Sequence, residues 1–379
     1  MTTTINGSSP SITFSDGSAQ TSATRPFLNR IINGAMVIDQ RNAGASVTPT
    51  DQSYTLDRWS QFLSQTSKLT IQQNAGSVTP PAGFTNYLGI TSTSAYSITS
   101  SDFFNLYQYI EGFNVADLGW GTANAKTVTL SFWVRSSLTG TFGGSLMNST
   151  PNRSYPFTYT ISTANTWEQK SITVAGDTSG TWLTTNGIGL RVLFGLGMGS
   201  NLTGPAGAWA GAAYYGANGA TSVVGTNGAT FYITGVQLEV GSTATSFDYR
   251  PYGTELNLCQ RYYYKTFNQS TAPANGVDFQ TGIGVLPIGT AYTSAALRSL
   301  IVFPQVMRAI PTITYFNSNL GTPTTGVWSA YTGSWVANTS MATGEVSQLY
   351  VSPNLDRSGA FTFGYSYLVT GFLTASAEL

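Results

Sequence analysis

The sequence contains no histidine and a single cysteine, Cys259. A Ser-His-Asp triad and the usual imidazole acid–base roles cannot be built without histidine. One thiol also excludes a disulfide within the chain and zinc sites of the Cys/His kind, so Cys259 reads as a small buried hydrophobe. Charge is scarce as well: 8% of the 379 residues are charged, against roughly 25% in an ordinary globular domain. The 16 basic and 16 acidic residues cancel, leaving no electrostatic footprint for nucleic acid or for an anionic membrane surface. No apolar run approaches the roughly 18 residues of a membrane span, and residues 1–23 lack the basic start and apolar centre of a secretory signal. The expectation is a protein made in a cytoplasm, without membrane insertion.

The acids are scattered singly, without an Asp-x-Glu or Glu-x-x-Glu doublet to concentrate the two carboxylates that glycoside hydrolysis needs. P-loop, dinucleotide and EF-hand patterns are missing, and the glycine run Gly195-Leu-Gly-Met-Gly199 has no following helix to cradle a phosphate. The chain is therefore expected not to be an enzyme. What it has in quantity is glycine, 41 residues, together with aromatics at 13%. A neutral, aromatic, hydroxyl- and amide-rich surface suits a neutral glycan, whose C–H faces pack on flat rings while its hydroxyls seek neutral partners. Near-zero net charge also favours association of copies that bury their apolar surface.

Short strands punctuated by Gly and Pro, with no βαβ alternation, predict an all-β antiparallel sandwich. The clearest strand is 127–135, where Val128, Leu130, Phe132 and Val134 share one face; its expected partner runs from Trp167 to Val174. Residues 101–111 hold too many aromatics for a helix face and read as a short helical or extended piece across the sandwich. Asp57 and Arg58 read as a salt bridge at a strand end over a buried Trp59. Residues 195–228 form a glycine-rich excursion, long enough to imply a role: it packs on a neighbouring subunit or presents Trp209, Tyr214 and Tyr215 to a ligand. Residues 1–24 are too polar to fold alone, with Asp16-Gly17 marking a turn between two extended pieces.

The stretch 230–265 joins a large β-rich region to a smaller one. Its strand alternation breaks at Gly235, a natural bulge position. Thr254 is placed to cap a short hinge helix with Glu255 in its first turn and Leu256, Cys259 and Tyr263 on one face. Beyond it, Pro304 and Pro311 belong at strand edges, and Trp328, Tyr331 and Trp335 fall in a loop-rich segment. Phe361, Phe363, Tyr365 and Tyr367 read as one face of a final strand.

Several of these segments carry a resemblance. Val236-Gln-Leu-Glu-Val-Gly241, Ala244-Thr-Ser-Phe-Asp-Tyr-Arg-Pro251 and Leu258-Cys-Gln-Arg-Tyr-Tyr-Tyr-Lys265 resemble bacteriophage tail-fibre and receptor-binding proteins that carry a jelly-roll domain. So do residues 29–41 with Leu56-Asp-Arg-Trp59 and residues 303–315, while residues 11–22 resemble N-terminal tags of virion proteins. Residues 127–135 with 167–174 resemble carbohydrate-binding jelly rolls. The resemblance implies a virion-attachment peptide at 1–24 contacting other tail or baseplate proteins, a jelly-roll domain at 25–253, and a smaller distal β-sandwich domain at 254–379 that trimerises and binds the receptor. It implies a homotrimer in the virion tail that adsorbs to a host surface glycan without catalysis. Trp328, Tyr331 and Trp335 are the first candidates for the glycan contact; Trp209, Tyr214 and Tyr215 are the second. The row from Phe361 to Tyr367 would be core or trimer axis. No cofactor is expected, although jelly rolls of this kind hold a structural calcium to which Asp248, Glu239 or Asp57 could contribute; ion pairs with Arg250 or Arg58 are the simpler reading. The alternatives are a structural fibre of the neck, head or baseplate without receptor contact, and a glycan depolymerase.

Overall fold

The computed structural model describes residues 4–6, 11–13, 19–20, 28–282, 287–321 and 324–379. Three short N-terminal strands, β1 (Thr4–Asn6), β2 (Ser11–Thr13) and β3 (Ala19–Gln20), pair antiparallel around β2. The expected turn at Asp16-Gly17 lies outside the described residues. The chain then runs through β4 (Tyr54–Leu56), β5 (Trp59–Leu63), β6 (Leu69–Gln73), β7 (Leu88–Ser92), β8 (Phe103–Glu111), β9 (Val128–Ser136), β10 (Gly140–Met147) and β11 (Ser154–Ile161). It continues through β12 (Glu168–Val174), β13 (Ile188–Met198), the two-residue β14 (Thr203–Gly204) and β15 (Gly216–Ala217), and β16 (Thr230–Val240).

Two antiparallel sheets form a sandwich of jelly-roll type. One is six-stranded in the order β11-β10-β13-β8-β5-β4, the other five-stranded in the order β12-β9-β16-β7-β6. Period-2 alternation sends one side of each strand inward. Val128, Leu130, Phe132 and Val134 of β9 meet Phe104, Leu106 and Ile110 of β8 and Val192, Phe194 and Leu196 of β13 in one core. The expected pairing of β9 with β12 is present in register from Glu168↔Val134 to Val174↔Val128. Residues 103–111 are a full strand inside the six-stranded sheet and contain no helix.

Gly235 makes the expected bulge. The register of β16 against β9 shifts between Thr234 and Gln237, and Gly235 adopts φ +60°, with the Phe84 ring 2.6 Å from where a Cβ would stand. The extra residue inverts the alternation. Phe231 and Ile233 point inward before it, Val236 and Leu238 after it.

The chain leaves the sandwich through helix α1 (Tyr252–Gln260). Thr254 does not cap this helix: it begins after Pro251, whose carbonyl accepts the Glu255 N–H at 3.0 Å, and proline suits a position with no N–H to satisfy. Cys259 is buried against Ile32, Ile38 and Tyr262. Tyr263, expected on the helix, belongs instead to the strand Tyr263–Lys265, paired with Phe372–Ser376, where aromatic residues are favoured. The C-terminal part has its own core of Leu297, Ile301, Met307, Trp328, Leu355, Val369 and Leu373, built on a three-stranded and an eight-stranded sheet. Pro311 directly precedes the strand Thr312–Phe316. The expected aromatic strand face does not form, because 361–365 is irregular, with a turn at 363–364, rather than strand. Phe361 is buried against Tyr367, whereas Phe363 and Tyr365 are 72% and 65% exposed.

Buried polar contacts fasten the two parts together. Glu111 at the end of β8 accepts two hydrogen bonds from Arg261, at 2.9 and 2.6 Å, and one from the Tyr262 hydroxyl at 2.7 Å. Arg58 does not pair with its neighbour Asp57. Its guanidinium reaches Glu378 and donates to the Tyr109 carbonyl at 2.6 Å, while Asp57 accepts from the Gln40 backbone N–H and side-chain amide at 2.6 and 2.7 Å. A φ of +68° at Arg58 turns the chain between the two side chains. Burial raises the Asp57 carboxyl to about 6.

Candidate functional site

The most distinctive surface in the described residues is the outward face of the six-stranded sheet. Phe104, Leu106 and Ile110 of β8 face the core, so alternation sends Asn105, Tyr107 and Tyr109 outward. Register fixes their neighbours. Asn105 stands between Phe62 of β5 and Gly195 of β13, Tyr107 between Ser60 and Leu193, and Tyr109 beside Arg191. Residues 199–229 fold back over one end of this face. The Ser154 hydroxyl donates to the Ala212 carbonyl at 2.7 Å and accepts the Tyr214 N–H at 3.3 Å, and Ala213 and Tyr215 pack on the cluster of Tyr107, Met147 and Leu193.

The result is a terrace of rings. Phe62 stacks on Phe103 at 4.1 Å and on Tyr215 at 5.4 Å, and Tyr107 lies 4.3 Å from Tyr109. The Arg191 guanidinium sits 5.0 Å from the Tyr109 ring centre and is held by the Ser149 carbonyl at 2.5 Å. Burial raises the pKa of the Tyr107 and Tyr109 hydroxyls, so both are neutral at physiological pH. Asn105 is fully buried and neither of its amide atoms has a hydrogen-bond partner; the Arg191 Nε is also unpartnered. Buried polar groups are normally paired; these atoms lie beneath the surface, so contact from outside falls to the half-buried rings of Phe62, Tyr109 and Tyr215. Glu111, at the end of the same outward row, is committed to Arg261 and Tyr262.

The residues proposed from sequence are divided by the structure. Trp328 is corrected: it is fully buried, its indole N–H donates to the Phe372 carbonyl at 3.0 Å, and it fills the C-terminal core. A ring with no exposed surface cannot meet a glycan. Tyr331 is 45% exposed and packs edge-on against its cross-strand partner Trp335 at 5.4 Å, on the hairpin Ser329–Tyr331 and Trp335–Ala337. Tyr215 joins the terrace, and Tyr214 covers Gly204 beside it. Trp209 lies apart, 5.3 and 5.4 Å from Trp120 and Trp182, with its N–H on the Ala175 carbonyl at 2.7 Å. The excursion packs on its own sandwich through these contacts. Phe62, Tyr109 and Arg191 carry no site signal of their own in the sequence; the aromatic density of 103–110 is the available one, without the direction each ring takes. Of the carboxylates suggested for calcium, Glu239 accepts from Gln237 and Thr245, Asp57 from Gln40, and Asp248 from the Asn29 N–H at 3.3 Å.

No protein-family model and no curated protein matches the chain. Solved structures align with slightly more than half of it. The enzymatically active domain of bacteriophage CBA120 tailspike protein 4 aligns at 13% identity and TM-score 0.32, over 57% of this chain and 22% of that one. A family 61 carbohydrate-binding module in complex with β-1,4-galactotriose aligns at 10% identity and TM-score 0.28, over 57% of this chain and all of the module. A putative sugar-binding protein from Bacteroides thetaiotaomicron aligns at 11% identity and TM-score 0.32, over 56% of this chain. The fold assignment rests on the strand order and registers themselves.

Proposed function

We propose that the protein is a bacteriophage tail-fibre component that adsorbs, without catalysis, to a host surface glycan, and that the outward face of the six-stranded sheet makes the contact. The observation that carries this reading is the group of half-buried rings of Phe62, Tyr109 and Tyr215, with the Arg191 guanidinium beside Tyr109; Tyr107 is buried beneath them. Sugar C–H faces pack on such rings, and sugar hydroxyls both donate and accept. Tyr331 and Trp335 offer a second, smaller aromatic step in the C-terminal part. The virion context rests on the resemblance of residues 29–41, 236–265 and 303–315.

Homotrimeric assembly belongs to the same proposal. Its support is the outer side of the eight-stranded sheet, where Ile288 pairs with Leu368 across strands and both are exposed together with Leu300 and Val302. An apolar row of that kind is commonly covered by another chain. Several weak sugar contacts displayed on one assembly would add to firm attachment.

The test is binding of fluorescently labelled protein to intact host cells before and after periodate treatment, with its mass in solution measured alongside. Loss of labelling after treatment, and in Tyr109→Ala and Phe62→Ala proteins of unchanged mass, is expected. Folded protein that leaves untreated cells unlabelled would instead favour a structural virion fibre.

A further inference from the structure

A separate cavity lies where the segment 112–122 meets the segment 177–190. It has a volume of about 170 Å³ and is lined by Val115, Leu118, Trp120, Trp182, Leu183 and Leu190. Leu118 and Leu190 form a buried floor, while Leu183, 37% exposed, stands at the mouth. Its walls are tied to one another by backbone hydrogen bonds: Gly112 N–H to the Gly187 carbonyl at 2.8 Å, Phe113 N–H to Thr185 at 3.0 Å, and Gly121 N–H to Asp177 at 2.7 Å. The Asp177 carboxylate is in turn clamped by Arg153, with both bonds at 2.7 Å. Cross-braced walls keep the cavity open where loose ones would collapse into it.

The chemistry of the lining is one-sided. The Trp120 indole N–H is spent on the Lys126 carbonyl at 2.8 Å and that of Trp182 on the Ser179 carbonyl at 3.1 Å. The Thr122 hydroxyl donates to the Gly119 carbonyl at 2.6 Å and accepts the Asn124 N–H at 3.2 Å. A hexose placed here would have to strip water from its hydroxyls with few partners to replace it, an unfavourable exchange for each unpaired group. An apolar ring faces no such cost. An engineered cavity of roughly 150 Å³ lined by Leu, Ile and Phe stays dry and binds benzene, and this one is similar in volume and lining but reaches the surface at Leu183 and Ala116. We propose that it is a binding pocket for a single uncharged hydrocarbon ring, distinct in place and in ligand class from the aromatic terrace.

Toluene is the probe, read by tryptophan emission, since Trp120 and Trp182 line the cavity, and by the thermal midpoint of the full chain. A saturable emission change with a raised midpoint is expected for toluene, and none for glucose at the same concentration. Ala116→Leu, at an exposed lining position, plugs the mouth and is expected to weaken the toluene response at least tenfold while circular dichroism stays unchanged. Leu183→Asp, which sets a charge at the mouth, is expected to do the same and decides the matter if the first variant misfolds. No saturable response in the unmodified protein, or an undiminished response in a folded variant, overturns the proposal. Periodate-sensitive cell labelling is read separately and is expected to be unaffected by either substitution, so the two proposals can fail independently.

Discussion

Glu111→Ala tests how the two β-rich parts are held together. Glu111 is fully buried and answers three donors, two from Arg261 and the hydroxyl of buried Tyr262. Breaking a buried ion pair from one side costs about 3–5 kcal/mol when the remaining charge is stranded. Arg261 keeps 31% of its side-chain surface, so it can partly rehydrate, which moves its share towards the lower end. The Tyr262 hydroxyl has no such escape, and an unpaired buried hydroxyl costs about 1–3 kcal/mol. Together the expected loss is about 4–6 kcal/mol. Glu111→Gln keeps an acceptor for Tyr262 and gives up only the charge, so it should lose roughly half as much. Urea unfolding followed both by circular dichroism and by tryptophan emission measures this, and the Ala variant should separate transitions that coincide in the unmodified protein. A loss below about 1 kcal/mol for Glu111→Ala would refute the view that this triad couples the two parts.

Trp328→Ala should destabilise the C-terminal core by about 3–5 kcal/mol, whereas Trp335→Ala at the hairpin should cost far less; equal midpoints in thermal unfolding would contradict the burial of Trp328. Asp57 holds its proton more tightly folded, at about 6, than unfolded, at roughly 4. Its contribution is therefore most favourable below pH about 4 and is lost as pH rises through 6, a change of about 3 kcal/mol. Asp57→Asn should remove that slope from the pH dependence of the urea midpoint, and a variant with the unmodified protein's slope would exclude Asp57 as its source. Gly235→Ala must hold φ near +60° with its Cβ against the Phe84 ring; a cost of about 1–3 kcal/mol is expected, and a neutral result in thermal unfolding would show that the bulge can migrate.

The sequence was most legible where one side of a strand is apolar and the other polar. The alternation in 127–135 and 167–174 pointed to the β9–β12 pairing that the structure contains, and the glycine that interrupts 230–240 marked the bulge. Strand β8 was opaque because both of its faces are apolar or aromatic, so periodicity could not say that Tyr107 and Tyr109 point outward. Trp328 misled for a related reason: it directly precedes a three-residue strand, too short to display a period. The partner of Arg58 lies 320 residues away at Glu378. The adjacent Asp57 was the obvious local choice, and only the fold brings the distant acid close.

The strand order of the five-stranded sheet also sets a schedule. β16 is the last strand of the sandwich in the chain but the middle one in space, lying between β9 and β7. Until residue 240 is available, β6–β7 and β9–β12 are two separate ribbons, and the inner edges of β7 and β9 have no partner. Open edges of apolar strands invite pairing with other chains. A sheet closed by its final strand is dominated by distant contacts and forms slowly. The interval before β16 inserts is thus when newly made copies are most exposed to one another, and slowing synthesis through 128–240 would lengthen it.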